Sequence, residues 1–358
     1  MSTSASLGST AETKLTRLAL ANHYVRGWAH YLWQYVPGIV LLIILALTAR
    51  VIGRNGLDSY TLVYAILLGI VIRNTIGLHA WLEPGTRIYE VLWKVGIVLL
   101  GSQMGLHSFS EVGLKGVGLA AVEVVGSIAF TLWLTKVFKI NGALRNLLAV
   151  GMSICGVSAI IALSSALRND EEDTSYAVSV ILCFGLLGLT VLPFVGHLMH
   201  LSDLRFGLWA GLAVNNTAEA VATGFTYSET AGHYATIAKL CRTLFLDAAL
   251  LYFVHGMVRE KMAETATSTA RGLVKHFPKF ALGLIAFSAL ATFQFWSPSA
   301  VSNLNHLYRW AFLLGFAGVG LRTSLSRLRT RGLKPLVLAL GVQSMTAVIM
   351  LVCVRIFF

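Results

Sequence analysis

Charged residues are scarce in this chain of 358 residues. Only 12% of the positions are charged whereas 56% are hydrophobic, and the mean hydropathy is +0.73. Apolar runs follow one another from Pro37 to Phe358, and most are near the roughly 20 residues that cross a bilayer as a helix. This pattern argues against a soluble domain and predicts an all-α polytopic membrane protein.

The N-terminus also lacks the pattern of a signal peptide, which is a charged region, an apolar core and a cleavage site. We predict a disordered cytoplasmic tail at 1–20, an interfacial segment at 21–36 and a transmembrane transporter domain at 37–358. Four aromatic residues of the second segment suit the headgroup region: Trp28, Tyr31, Trp33 and Tyr35.

The four cysteines show no C-x-x-C or His-paired metal spacing, and all of them fall in apolar segments. We therefore expect buried free thiols and no metal or cofactor, apart from a coupling proton or sodium ion. A net charge of +12 would suggest nucleic acid as the partner of a soluble protein. Here membrane topology accounts for it, so we expect no nucleic-acid partner.

Eleven spans can be cut from the hydropathy pattern. Their approximate bounds are 37–53, 60–77, 87–106, 114–138, 143–167, 175–199, 204–225, 231–257, 277–296, 302–322 and 333–356. Placing the N-terminus in the cytoplasm puts the basic connections inside and the acidic loop 168–173 and Glu229 outside, as the positive-inside rule requires. The basic connections are those at 136–145, 258–279 and 327–334. The C-terminus is then predicted outside the cytoplasmic membrane.

Several polar side chains lie inside predicted spans, where a charge costs several kcal/mol. They are Glu123, Asn215, Asn216, Glu219, Lys239, Arg242 and Asp247. In a continuous helix, Asn215 and Asn216 would share one face with Glu219. Glu219 could simply pair with Lys239 or Arg242 and join two helices. The alternative, which we favour, is a water-accessible pocket that handles an anion or a proton.

Two predicted spans are rich in small residues, at 151–165 and 313–321. Such residues often serve only close helix packing, but paired interruptions in two halves of a chain also indicate broken helices. The segment 69–75 resembles 211–217, and 105–124 resembles 320–340. These similarities predict inverted five-helix repeats at about 60–200 and 204–356. A competing similarity, between 176–197 and 234–255, would instead relate the sixth and eighth spans in parallel.

Several motifs together resemble the YeiH-type family of proposed sulfate exporters. They are SICGVSAI (153–160), VNNTAEAVATG (214–224), AKLCR (238–242) and GLRTSL with GLKPL (320–336). The resemblance extends from about residue 37 onward. The family is similar in architecture to bile acid/sodium symporters and NhaA-type antiporters, which implies a core domain, a panel domain and two broken helices that cross near the membrane midplane.

By this resemblance the fifth and tenth spans would cross at the substrate site. The implied substrate-binding residues are Ser153, Cys155, Gly156, Val157 and Ser158 opposite Gly315, Gly318 and Gly320. Helix N-termini would offer free N–H groups to an oxyanion. The seventh helix of the family often carries a His-Glu pair followed by Gln, whereas this chain has Asn215-Asn216 followed by Glu219.

The leading hypothesis is a secondary transporter, and more specifically an exporter, of a small anion such as sulfate or an organosulfonate. Asn215, Asn216, Lys239 and Arg242 would help to bind the anion, and Glu219 with Asp247 would couple transport to an ion gradient. A cation/proton antiporter based on Glu219 and a passive channel are alternatives. An intramembrane enzyme is disfavoured because no H-E-x-x-H or G-x-S-x-G motif occurs. The expected partners are the anion, the lipid bilayer and, as an open alternative, a second copy of the chain.

Overall fold

The computed structural model describes residues 33–55, 60–140, 142–167, 169–261, 279–329 and 332–358. Within these ranges all regular secondary structure is helical, as the apolar runs predict. The predicted tail at 1–20 and most of the predicted interfacial segment at 21–36 lie outside the described residues.

Fourteen helices of eleven residues or more occur in the described part of the chain. They are α1 (Val36–Asn55), α2 (Thr61–Thr75), α3 (Tyr89–Leu100), α4 (Leu106–Val137), α5 (Gly142–Ser153), α6 (Val157–Leu167), α7 (Glu171–Leu198), α8 (Asp203–Ala213), α9 (Thr217–Tyr227), α10 (Glu229–Thr243), α11 (Leu246–Lys261), α12 (Lys279–Thr292), α13 (Pro298–Arg322) and α14 (Lys334–Phe357). By length and composition, α1, α4, α7 and α14 are each long and apolar enough to cross a membrane.

Helices α8 and α9 form a hairpin, here called the second hairpin, whose tip is Val214–Asn216. The end of α9 returns to the start of α8. Tyr227 donates its hydroxyl hydrogen to the carbonyl of Leu201 at 2.5 Å, and its ring stacks on Phe206 with 3.9 Å between centroids. The chain therefore reverses at the tip instead of continuing along one axis.

Helices α5 and α6 reverse in the same way around the tip Ile154–Gly156 and form the first hairpin. Gly151 and Ile160 are nine residues apart, which is about 13 Å along a continuous helix. A Cβ atom on Gly151 would nevertheless lie 2.7 Å from Cδ1 of Ile160. Gly156 has φ +69°, a left-handed conformation that glycine adopts without strain and that permits the sharp turn.

The two hairpins enter the helix bundle from opposite ends, which we call the first-hairpin end and the second-hairpin end. Helix α7 connects these ends. At its start, Thr174 hydrogen-bonds to Ser164 of α6, and near its other end Gly196 packs against Phe206 and Tyr227. The prediction of eleven spans is wrong because two of the predicted spans fold back on themselves.

The hairpins also change the predicted topology of one loop. The residues 169–173 were predicted on the opposite side of the membrane from Lys136 and Lys139. Because α6 returns, this acidic segment lies at the first-hairpin end, where α4 also ends and α5 begins. The last residue lies at the second-hairpin end: the Phe358 carbonyl accepts from Arg205 at the base of the second hairpin.

Helix α13 is continuous, so the predicted break in the tenth span is wrong. Its three glycines allow close packing against two neighbouring helices instead. A Cβ on Gly315 would contact Trp93, one on Gly318 would overlap Tyr89, and one on Gly320 would overlap the backbone of α2. The second broken element is the seventh predicted span, at Val214–Asn216.

The helices pack as two groups. Helices α1, α2, α3, α12 and α13 form one group, in which α13 packs along both α2 and α3. Both hairpins pack with α4, α7, α10, α11 and α14 in the other. We call the first group the panel and the second group the core. The inverted repeats stay a prediction.

Candidate functional site

The two hairpin tips meet inside the core. A Cβ on Gly156 would lie 2.8 Å from Cα of Asn216, so the two backbones are in direct contact there. The tips therefore bring together four helix ends. Helices α5 and α8 end at this point, and α6 and α9 begin at it.

Lys239 of α10 occupies the C-terminal end of α8. Its ammonium group donates to the carbonyls of Val214 at 2.7 Å and Asn215 at 2.6 Å. The last carbonyls of a helix have no intrahelical donor and carry the negative end of the helix dipole. The buried cation therefore satisfies these groups where water cannot reach them.

Arg242, one turn further along α10, joins the ends of both hairpins. Its guanidinium donates to the carbonyls of Met152 at 2.6 Å and Ser153 at 2.8 Å, at the end of α5, and to that of Leu212 at 2.8 Å in α8. Its second contact with the end of α8 is to the Val214 carbonyl at 3.2 Å. One side chain thus cross-links the two tips.

The counter-charge of Arg242 comes from α4. The Glu123 carboxylate lies 2.7 Å from Nε of Arg242, and both side chains are almost fully buried. The Nε hydrogen points toward the Ser153 carbonyl, so the Glu123 contact is an ion pair rather than a hydrogen bond. The sequence left pairing with Glu219 open for Arg242, and the structure pairs Arg242 with Glu123 instead.

Asn215 extends this network to α14. Its side-chain oxygen accepts from Arg242 at 3.2 Å, and its Nδ2 donates to Oε1 of Gln343 at 2.5 Å. Gln343 in turn donates to the carbonyl of Ala213 at 3.0 Å. Gln343 was missed from the sequence. Its polar side chain in the middle of the last apolar run, a signal as strong as that of Asn215, could have identified it.

Glu219 lies in the first turn of α9 and is fully buried. The Asn216 side chain is a neighbouring donor, but neither carboxylate oxygen accepts a hydrogen bond of good geometry from the residues described. The carboxylate packs against Gly185 of α7, where a Cβ would overlap it. The shared helical face predicted for Glu219 and Asn215 does not exist, because Asn215 lies in the non-helical tip.

A cavity of about 240 Å³ lies beside the tips, between the core and the panel. Its core wall includes Val157 and Ser158 at the start of α6 and Asn216 and Ala218 at the start of α9. The first intrahelical hydrogen bonds begin only at the N–H groups of the fourth residues of these helices, and the Asn216 side chain caps no N–H group. Both positive helix ends therefore adjoin the cavity.

The panel wall of this cavity carries Tyr89, Lys94 and Arg322, which the sequence did not single out. Both basic side chains have acidic neighbours. Lys94 lies 3.8 Å from Glu90, and Arg322 donates to Glu83 at 3.1 Å. Burial raises the pKa of Glu83, but Arg87 and Arg322 outweigh it and hold that pKa below its usual value. Glu83 is thus ionised near neutral pH, so Arg322 has an anionic partner.

The remaining predicted residues lie at varied distances from the cavity. Ser153 and Cys155 are buried at the first tip. The glycines of α13 pack against the panel helices rather than at the tips, although their neighbour Val319 lines the cavity. Asp247 is half-buried in the first turn of α11, and its Oδ1 has no hydrogen-bond donor among the described residues.

The sequence pattern of the family described as "Conserved hypothetical protein 698" matches residues 37–339. The chain belongs to this family. A "UPF0324 membrane protein" of Nitratidesulfovibrio vulgaris is 34% identical over 93% of this chain and 96% of its own length. A similarly named membrane protein of Pseudomonas aeruginosa is 31% identical over 86% of this chain and 90% of its own length.

The "UPF0324 inner membrane protein YeiH" of Escherichia coli is 28% identical over 86% of this chain and 90% of its own length. The resemblance to YeiH-type proteins is therefore confirmed. No solved structure matches the chain. Together with its apolar helices, these similarities make the chain a membrane protein.

Proposed function

We propose that this protein is a secondary active transporter, not an enzyme, that moves a small anion across the cytoplasmic membrane. Sulfate and organosulfonates are the proposed substrates, and export is the proposed direction. The observation that carries the proposal is the cavity beside the tips, where two helix N-termini adjoin one space between panel and core. Movement of the core against the panel would expose this space alternately to the two sides.

The charges at the tips favour an anion over a cation. Cations compensate the negative ends of α5 and α8, because Lys239 and Arg242 donate to their carbonyls. Among the described residues, no carboxylate accepts a hydrogen bond from the first N–H groups of α6 and α9. Their free N–H groups can each donate a hydrogen bond to an oxyanion oxygen, and Ser158, which is exposed at this wall, adds a hydroxyl donor. In this proposal Lys239 and Arg242 act on the substrate through the tips that they position.

Glu219 supplies the proposed coupling. An ionised carboxylate in the first turn of α9 stabilises the same positive helix end that would attract the substrate. Protonation of Glu219 removes that competing charge, so anion binding and proton binding strengthen each other by the same factor. Asp247 is a second proposed coupling residue, and we propose that the first-hairpin end, with Lys136 and Lys139, faces the cytoplasm.

The lone buried carboxylate also supports a second candidate, a cation/proton antiporter that carries no anion. Glu219→Gln distinguishes the two, with Glu229→Gln as a control that removes an acid outside the tips. For an anion transporter, we expect Glu219→Gln to retain anion binding and exchange but to lose their pH dependence. An antiporter would lose all exchange in this variant. The measurement is sulfate and proton flux in proteoliposomes across a range of pH.

The site itself can be tested by thiol labelling in a chain whose native cysteines have been replaced. We expect Ser158→Cys to react with a charged water-soluble thiol reagent and substrate to slow this reaction. Ser153→Cys is the matched control, because Ser153 is fully buried and should stay unreactive. Sulfate, thiosulfate, sulfite and taurine would be compared as protecting substrates. If none of these anions protects Ser158→Cys, or drives exchange in proteoliposomes, the anion site is refuted.

A further inference from the structure

A second and larger cavity, of about 660 Å³, lies toward the second-hairpin end. Its walls come from the panel helices α1, α2 and α13 and from the end of the second hairpin, through Phe225 and Ser228. None of its residues belongs to the site at the tips. We call it the arginine cavity.

Basic groups outnumber acidic groups in the wall of the arginine cavity. Of the described residues, it carries Arg50, Arg54, Arg309 and His306 but only one acid, Glu229. An excess of one sign of charge within a cleft of low-dielectric walls concentrates ions of the opposite sign. The cavity is therefore suited to an anionic ligand.

The single acid is already engaged. Glu229 accepts two hydrogen bonds from Arg309, at 2.8 and 2.9 Å, and one from the Tyr308 hydroxyl at 2.6 Å. These contacts account for the charge of Arg309. They leave the two arginines of α1 without a carboxylate partner among the described residues.

Arg50 is held in place by an aromatic ring, which leaves its N–H donors unused. Its guanidinium carbon lies 4.8 Å from the ring centroid of Trp310, as in a cation–π contact. Within the described chain it donates no hydrogen bond, and neither does Arg54 one turn later. Two guanidinium groups at (i, i+4) spacing on α1 thus present unused donors at one wall.

We propose that the arginine cavity binds a ligand that carries a phosphate or sulfate group. A planar guanidinium matches two oxygens of a tetrahedral oxyanion at once, which makes arginine the preferred partner of such groups. The cavity is much larger than the oxyanion alone, and Tyr308, Trp310 and Phe312 provide aromatic surface for an attached organic part. A phospholipid headgroup and an organic solute anion share this chemistry.

The test is thermal unfolding of the full purified chain in an uncharged detergent. One arm adds inorganic sulfate, and the other adds phosphatidylglycerol with phosphatidylcholine as its reference. We expect the melting temperature to rise by a few degrees in at least one arm, because a ligand that binds only the folded state stabilises it. A rise with sulfate identifies a solute site, and a rise with phosphatidylglycerol alone identifies a headgroup site.

Arg50→Gln combined with Arg54→Gln should abolish most of that rise. Lys136→Gln with Lys139→Gln is the matched control, because it removes two exposed charges at the opposite end of the bundle and should preserve the rise. The unfolding midpoint without ligand shows whether each variant folds. If the double variant does not fold, Arg54→Gln alone is used in its place.

A full rise in the arginine variant, or no rise in either arm for the wild type, overturns the proposal. A variant in which the cavity beside the tips is blocked distinguishes failure of the arginine cavity from failure of the transport site. Ser158→Trp should prevent sulfate from binding beside the tips but leave the shift that depends on Arg50 and Arg54. If Ser158→Trp abolishes the whole shift and the arginine variant none of it, the transport site stands and the arginine cavity is refuted.

Discussion

Replacement of Arg242 by methionine should destabilise the protein more than any exposed substitution. Methionine keeps much of the side-chain length but donates no hydrogen bond. The variant leaves the carbonyls of Ser153 and Leu212 without their side-chain donors, and it leaves Glu123 buried without its cation. The ends of both hairpins therefore lose their common partner.

The size of the effect follows from these contacts. An unsatisfied buried acceptor costs about 1–3 kcal/mol, and loss of one member of a buried ion pair costs about 3–5 kcal/mol. These contributions overlap because Glu123 and the carbonyls share one guanidinium, and water that enters the site offsets part of them. We expect the free energy of unfolding to fall by about 3–5 kcal/mol.

The assay is unfolding of the purified protein in detergent, compared with two further variants. Arg87→Met is the matched control: Arg87 forms an exposed (i, i+4) pair with Glu83, which contributes about 0–1 kcal/mol. Glu123→Gln combined with Arg242→Met should recover about 1–3 kcal/mol of the loss, because the unpaired charge is gone. A loss with Arg242→Met no larger than that with Arg87→Met, or a double variant less stable than the single one, would refute the proposed role of Arg242.

Two further predictions concern the surroundings of the tips. Gly185→Ala should lower the free energy of unfolding by about 1–3 kcal/mol, because the added Cβ would overlap the Glu219 carboxylate. Gly118→Ala in α4 is the control, because Gly118 has open space around it, and it should be neutral or slightly stabilising. Equal unfolding midpoints for the two variants would contradict this prediction. Gln343→Leu and Asn215→Leu should each destabilise by about 1–3 kcal/mol, and the double variant should lose less than their sum because they share one hydrogen bond. Strict additivity in the double-mutant cycle would show that this bond contributes nothing.

The sequence predicted the helical content and located the first interruption, but it placed the second in α13 instead of at 214–216 and predicted the geometry of neither. Segments around 154–156 and 214–216 stood out because small or polar residues interrupt apolar runs. A kinked helix and a hairpin share this composition, since both need a short non-helical stretch. The contact between Gly151 and Ile160, which distinguishes them, involves no special residue type.

The sequence also did not predict which buried charged side chains pair with one another. Arg242, Lys239 and Glu123 were all recognised as costly in a membrane, yet their pairing depends on how α4 packs on α10. The glycines of α13 were misinterpreted because the helices that pack against them were not known. Gly315 and Gly318 suggested a broken helix, whereas the large aromatic side chains of α3 required space at these positions. Composition alone cannot distinguish a weak helix from a tightly packed one.

The cross-link between the hairpins has a consequence for biosynthesis. Met152 is synthesised 90 residues before Arg242, whose guanidinium donates a hydrogen bond to the Met152 carbonyl in the folded protein. While the chain is being made, the end of α5 therefore has no cation and is poorly suited to hydrocarbon. The first hairpin should mature only after α10 has been inserted, so a nascent chain arrested before Glu229 should expose that hairpin to protease and to folding factors.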